Sequence, residues 1–172
     1  TYAAYTAVKS HTYEQMLALR SRDITVSLTT YPGRIAYVHS VIENIARQTM
    51  KPARVLLWLA REQFPGGEES LPQSLLDCKS RGEVQIKWCA DDLRSHKKYY
   101  YTMLEYPEDL IITVDDDLIY PDDMIHKLYQ SYLAYPGCIS AMRTHIVGVD
   151  RDSRTILDYS RWIKEFDRDI LV

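Results

Sequence analysis

Three consecutive aspartates, Asp115, Asp116 and Asp117, directly follow the apolar run LIITV at residues 110–114. Two like charges about 4 Å apart repel by roughly 4 kcal/mol at an effective dielectric constant of about 20. The trio is therefore costly unless solvent or a cation screens it. Carboxylate oxygens favour hard cations such as Mg²⁺ or Mn²⁺, whereas zinc prefers histidine and cysteine. The trio predicts a divalent-cation site, and a solvated acidic turn is the alternative.

The spacing within the trio predicts that its side chains point to different sides of the chain. Asp115 and Asp117 are two residues apart, so in an extended segment their side chains point to the same side. They form the predicted metal pair. Asp116 points to the other side, where it needs backbone N–H groups of a neighbouring turn or a basic side chain such as Arg143 as partners.

Strand and helix patterns alternate along the chain. Strand patterns occupy residues 24–28, 54–59, 84–89, 110–114 and 139–142. Helical spacing or capping signals mark residues 35–46, 70–81, 95–104 and a segment that begins at residue 121. This order predicts an α/β fold with an open, mostly parallel, Rossmann-like sheet and helices on both faces.

Polar residues follow three of the predicted strands. Thr29, Thr30 and Tyr31 follow the first strand, Asp91 and Asp92 follow the third, and the aspartate trio follows the fourth. Ligands of open parallel sheets bind outside the carboxyl ends of the strands. We therefore expect the three groups to lie in one crevice.

Composition sets the remaining bounds. The chain has 172 residues, of which 46% are hydrophobic and 26% charged, and its formal net charge is −3. These values are typical of a globular protein and give no general attraction to nucleic acid. No apolar stretch is long enough for an integral membrane segment. The three cysteines lack metal-ligand spacing, which predicts reduced core thiols in a reducing compartment, the cytoplasm.

We expect one domain over residues 1–172, with an N-terminal helical lead at residues 1–22. The sequence begins at Thr1 rather than at a methionine, which raises the expectation of a piece of a longer protein.

The Asp-x-Asp motif at the end of the fourth strand resembles that of nucleotide-sugar-dependent glycosyltransferases of the GT-A fold. "SLTTYPGRI" is similar to the first-strand nucleotide loop of bacterial, family-2-like members. "SHKKYYYTMLEYPEDLIITVDDDLIYP" is similar to their segment in which a lysine-bearing helix precedes the metal motif. "MRTHIV" and "ILDYSRWI" resemble the family's segments after that motif, so the resemblance extends over residues 24–162.

The resemblance implies a set of nucleotide-binding residues. In it, Asp91 or Asp92 accepts a hydrogen bond from the base, and Lys98, with Lys97, faces the diphosphate. The whole set is Thr29, Thr30, Tyr31, Arg34, Asp91, Asp92, Lys97, Lys98, Asp115 and Asp116.

The resemblance also implies a metal, substrates and a reaction. Asp115 and Asp117 would hold Mn²⁺ or Mg²⁺, with Asp115 meeting the ribose or the metal shell. The partners are a nucleoside-diphosphate sugar and a glycan or other hydroxyl acceptor. The family's catalytic base and acceptor pocket come from a part beyond the metal motif. We therefore expect either a chain truncated at its C terminus or an acceptor site supplied by something else, and assign no catalytic base.

Two alternatives stay open. The first is a non-catalytic module of the same fold that binds a nucleotide or a metal. The second is an aspartate-dependent phosphohydrolase, whose pattern requires glycine or threonine soon after the second aspartate. Here Leu118, Ile119 and Tyr120 stand at those positions, which disfavours this class.

Overall fold

A computed structural model describes residues 22–135, 137–150 and 152–164. Residues 1–21 of the expected helical lead lie outside the described residues. The described part divides into two compact units, the first ending at Lys127 and the second beginning at Leu128. Within this part, no helix is long and apolar enough to span a membrane.

A four-stranded, all-parallel sheet forms the centre of the first unit. Its strands are β1 (Ile24–Thr29), β2 (Arg54–Ala60), β3 (Gln85–Cys89) and β4 (Leu110–Thr113), in the order β3-β2-β1-β4. The first two strands are buried almost throughout, because both faces of the sheet are covered. The predicted α/β class with a parallel, Rossmann-like sheet is confirmed.

The order of the strands creates a topological switch point between β1 and β4. The chain moves outward from β1 to β2 and β3, and then returns to the other side of β1. In the parallel register Ser27 pairs with Thr113, so the segments after β1 and β4 leave the sheet at nearly the same level. Crevices at such switch points are the usual ligand sites of open α/β sheets.

Three helices of the first unit accompany the sheet: α1 (Val38–Ala46), α2 (Gln73–Ser80) and α3 (Lys97–Glu105). The first presents an apolar stripe to the core, and its buried hydrophobic residues recur at helical spacing. The predicted helix at residues 35–46 is present but starts three residues later, because residues 34–37 form turns.

Helix α3 is attached to the sheet through a buried threonine. The hydroxyl of Thr102 accepts a hydrogen bond from Trp58 Nε1 at 2.7 Å and lies 2.8 Å from Ser27 Oγ. Thr102 is fully buried. This contact fixes the helix over β1 and β2 and thereby sets the position of the lysines at its N-terminal end.

Helix α4 (Met124–Ala134) continues from the first unit into the second. The second unit also contains the short antiparallel strands β5 (Val149–Asp150) and β6 (Thr155–Ile156). The prediction of a strand at residues 139–142 is wrong. That segment forms no strand. Ile139 is 99% exposed, so burial of its side chain does not stabilise a strand there.

The cysteines are all free thiols. Cys78 and Cys89 are buried, as expected, and burial raises the pKa of the Cys78 thiol to about 11. Cys138 is exposed, so its assignment to the core is wrong.

Candidate functional site

A cleft of about 540 Å³ opens at the carboxyl ends of the parallel strands, in the first unit. Most residues that the sequence analysis selected line it. They are Thr29, Thr30, Tyr31, Arg34, Asp92, Lys97, Lys98, Asp115, Asp116 and Asp117. Gln63, Arg94 and Ser95, which the sequence analysis did not select, line it as well. The structure thus brings the ends of β1, β3 and β4 into one cavity.

Asp116 is the least exposed member of the aspartate trio. Its carboxylate accepts hydrogen bonds from Thr30 Oγ1 at 2.5 Å and from Arg34 Nη1 at 3.0 Å. Arg34 Nη1 also lies 2.7 Å from Asp117 Oδ2. The hydrogen bond with Asp116 is the main reason why the pKa of Arg34 lies above its ordinary value. The first-strand loop and the trio are therefore tied together through Asp116.

Asp115 is held from two directions. Its carboxylate accepts a hydrogen bond from Lys98 Nζ at 2.5 Å, and the same ammonium lies 3.3 Å from the carbonyl oxygen of Val114. Its backbone N–H donates to the hydroxyl of Tyr120 at 2.7 Å. Burial raises the pKa of that hydroxyl. These contacts place Asp115 at the rim, beside the first turn of α3.

The three aspartates differ in exposure much as their spacing suggests. The side chain of Asp116 is 10% exposed, whereas those of Asp115 and Asp117 are 57% and 47% exposed. The separation onto opposite sides is only partial, because a turn begins at Asp116 and Arg34 contacts both Asp116 and Asp117. Two accessible carboxylates therefore flank one that is mostly covered.

The donor set bears on the expected metal. In the part of the chain that the structure describes, no group of three or more His, Cys, Asp or Glu side chains is arranged to hold a metal ion. Mg²⁺ commonly uses only one or two carboxylates and takes its other ligands from water and phosphate. The accessible oxygens of Asp115 and Asp117 fit that smaller requirement.

At the β3 side of the cleft, a buried lysine is paired with an aspartate. Lys97 is 2% exposed, and its ammonium donates to Asp92 Oδ1 and lies 3.4 Å from Gln63 Oε1. Gln63 Nε2 donates to Asp92 Oδ2 at 2.7 Å, and the Arg94 N–H donates to Oδ1 at 3.0 Å. Charged side chains are buried only when they are paired in this way.

These contacts decide the ionisation of Asp92. Burial alone would raise its pKa, but the hydrogen bonds from Lys97 and from the Arg94 N–H outweigh burial and hold the pKa below its ordinary value. Asp92 is therefore a fixed carboxylate at the cleft. Lys97, which the resemblance directs to a diphosphate, is bound to this carboxylate, whereas Lys98 lies at the rim.

Asp91 does not line the cleft. It is exposed and borders a separate groove of about 550 Å³, which Tyr99, Tyr100 and Tyr101 also line. Of the two aspartates considered for base recognition, only Asp92 lies at the cleft.

Helix α1 and the turn that follows it supply two site-shaping residues that the sequence analysis missed. The side chain of Asn44 donates to the carbonyl oxygen of Tyr120 at 3.0 Å and accepts from its N–H at 2.8 Å. Gln48 donates to the carbonyl oxygen of Pro121 at 2.7 Å and accepts from the Ile125 N–H at 3.2 Å. Both amides are buried. For Asn44 the available signal was its spacing, since Val41, Asn44 and Ile45 lie on one buried stripe of α1, whereas Gln48 lies beyond the end of the helix.

The charges lining the cleft balance. Its four carboxylates are those of Asp92, Asp115, Asp116 and Asp117, and its four cationic side chains are those of Arg34, Arg94, Lys97 and Lys98. The cleft is formally neutral without a ligand.

No family model matches the sequence, and a comparison with curated proteins finds no match either. The glycosyltransferase resemblance thus depends on the sequence motifs alone.

Proposed function

We propose that the protein is a metal-dependent glycosyltransferase whose cleft binds a nucleoside-diphosphate sugar and whose acceptor is a hydroxyl of a glycan or another molecule. One observation carries the proposal. Two accessible carboxylates, Asp115 and Asp117, share a switch-point cleft with the cations Arg34 and Lys98. The two carboxylates suit a divalent metal ion, and the cationic side chains of Arg34 and Lys98 suit a diphosphate.

In this proposal, side chains of the cleft bind and orient the donor. Asp115 and Asp117 would hold Mn²⁺ or Mg²⁺, which would supply Lewis-acid stabilisation of negative charge on the diphosphate. Lys98 and Arg34, released from their carboxylates, contact phosphate oxygens. Thr30 and Asp116 keep the first-strand loop in place. Asp92 is the acceptor for an N–H group of the base.

A nucleotide-binding module without turnover is the second candidate. Every carboxylate that lines the cleft is paired with a cation, and no described histidine lines it. A catalytic base is therefore not evident among the described residues. A transfer or hydrolysis assay with nucleotide sugars distinguishes the two candidates, because the module binds the donor without consuming it.

Calorimetry with Mn²⁺ and the diphosphates of uridine, guanosine and cytidine tests the proposed site. We expect the parent chain to bind at least one of them only when Mn²⁺ is present. Asp117→Asn should abolish this metal-dependent binding and leave the thermal transition almost unchanged, because Asp117 is half exposed.

Asp123→Asn is the matched control. Asp123 lies in the same acidic stretch and has almost the same exposure as Asp117, 48% against 47%, but it does not line the cleft. This variant should bind like the parent. The metal role fails if the parent binds none of the three nucleotides with Mn²⁺, or if Asp117→Asn binds as the parent does.

A further inference from the structure

Arg94 has a backbone conformation that suits glycine. Its φ is 51°, and the only other non-glycine residue with positive φ among those described is Arg154, with a φ of 55°. In this left-handed region the Cβ atom of an L-residue crowds the following carbonyl oxygen, so an arginine there reduces the stability of the fold. Such conformations persist only where surrounding contacts impose them.

The contacts that impose this conformation come from the buried side of the cleft. The Arg94 N–H donates to Asp92 Oδ1 at 3.0 Å. Asp92 is in turn fixed by the buried ammonium of Lys97 and by the amide of Gln63. A lysine with 2% exposure thus supports, through one carboxylate, the turn that presents Arg94 at the cleft.

The Arg94 guanidinium differs from the other cations of the cleft. Arg34 is paired with Asp116 and Asp117, Lys98 with Asp115, and Lys97 with Asp92. Within the described ranges, the guanidinium of Arg94 makes no hydrogen bond or ion pair, and the residue is exposed. A planar guanidinium offers paired N–H groups that match two oxygens of one phosphate.

We propose that Arg94 is a phosphate-binding residue of the cleft, which the fold holds in a costly backbone conformation so that its guanidinium contacts the ligand. The identity of that ligand as a nucleoside diphosphate rests on the proposed function. The position accepts glycine without strain, yet it carries an arginine whose guanidinium makes no hydrogen bond or close ion pair with any described residue. Binding residues often reduce the stability of the fold, because their conformation is suited to the ligand rather than to folding.

The test compares Arg94→Gly and Arg94→Lys with the parent chain, in Mn²⁺, by calorimetry and thermal melting. Arg94→Gly removes the cation and the backbone strain together. We expect its unfolding midpoint to equal or exceed that of the parent, while its Kd for uridine diphosphate and for inorganic pyrophosphate rises at least fivefold. Arg94→Lys should retain more affinity than Arg94→Gly. Uridine, which lacks a phosphate, should not distinguish the variant from the parent.

Arg154→Gly is the matched control, because it relieves the same backbone conformation at an exposed arginine that does not line the cleft. It should bind both ligands as the parent does. The inference is overturned if Arg94→Gly keeps parental affinity for pyrophosphate, or if its affinity and unfolding midpoint fall together without rescue by lysine.

Pyrophosphate also separates this inference from the proposed function. A parent chain that binds pyrophosphate but no nucleotide contradicts the proposed function, and a loss of pyrophosphate affinity in Arg94→Gly would still support the role of Arg94. A parent chain that binds neither ligand overturns both proposals.

Discussion

At the scale of single residues, the repulsion within the aspartate trio is offset by two cations from different elements. Arg34, from the turn before α1, contacts Asp116 and Asp117, and Lys98 of α3 contacts Asp115. Ion pairs at exposed carboxylates contribute only about 0–1 kcal/mol each, so a metal and a diphosphate can replace them at low cost. The ion pair between Arg34 and Asp116 is less exposed, and it stabilises the fold.

Asp116→Ala should therefore destabilise the metal-free protein by about 1–3 kcal/mol, because the buried hydroxyl of Thr30 loses its acceptor. Asp115→Ala and Asp117→Ala should stay within about 0.5 kcal/mol of the parent, as exposed substitutions usually do. Urea unfolding of the three variants measures the difference.

The same melts with Mn²⁺ and uridine diphosphate complete the comparison. Ligand protection should disappear in Asp115→Ala and Asp117→Ala, since they remove the proposed metal ligands. If the three variants change the free energy of unfolding equally, with and without the metal, the trio is an ordinary acidic turn.

At the scale of elements, α3 lines the cleft, and α1 holds the segment that follows the aspartate trio. Consecutive residues of a helix point about 100° apart, so the side chains of Lys97 and Lys98 cannot reach the same partner. One is buried against Asp92, and the other reaches Asp115 at the rim. On α1, Asn44 acts as a substitute strand partner, because its amide satisfies both the N–H and the carbonyl oxygen of Tyr120.

Asn44→Ala should cost about 1–3 kcal/mol, because it leaves two backbone groups of Tyr120 without their partner. It should also raise the amide exchange rate of Tyr120 and weaken Mn²⁺-dependent nucleotide binding, since the Tyr120 hydroxyl supports Asp115. Denaturant unfolding and hydrogen exchange measure these effects.

Glu43→Ala, one residue earlier on the same helix, is the control for Asn44→Ala. It removes only a surface ion pair with Arg81 and should change stability by less than about 1 kcal/mol. If both variants lose similar stability while nucleotide binding and the exchange of Tyr120 stay as in the parent, Asn44 has no role in positioning the aspartates.

The elements also explain what the sequence could predict. β2 and β4 are largely continuous apolar runs, and β1 is rich in β-branched residues, so these strands were predicted from their patterns. The carboxyl ends of parallel strands lie at one edge, which was enough to predict that Thr30 and Asp116 lie in one crevice. The strand at residues 139–142 was mispredicted because a short apolar run does not reveal whether a neighbouring strand will pair with it. Arg94 was missed because a positive φ leaves no mark on a residue that is not glycine.

At the scale of the whole molecule, overall charge and cleft charge differ. The chain carries a formal net charge of −3, whereas the residues that line the cleft sum to zero. A nucleoside diphosphate alone adds negative charge to an acidic protein, and a divalent cation alone adds positive charge beside Arg34 and Lys98. Only the two together leave the cleft close to neutral.

Mn²⁺ and uridine diphosphate should therefore bind with positive coupling. We expect saturating nucleotide to lower the Kd for Mn²⁺ at least tenfold, and saturating Mn²⁺ to lower the Kd for the nucleotide by the same factor, because equilibrium coupling is reciprocal. Calorimetric titrations in both orders, corrected for the complex that the two form in solution, measure the two factors. In Asp117→Asn this coupling should be lost, because the cation no longer has one of its two proposed carboxylate ligands. Independent binding in the parent would mean that Asp115 and Asp117 do not share a ligand with the diphosphate, and the carboxylates would then act only as partners of Lys98 and Arg34.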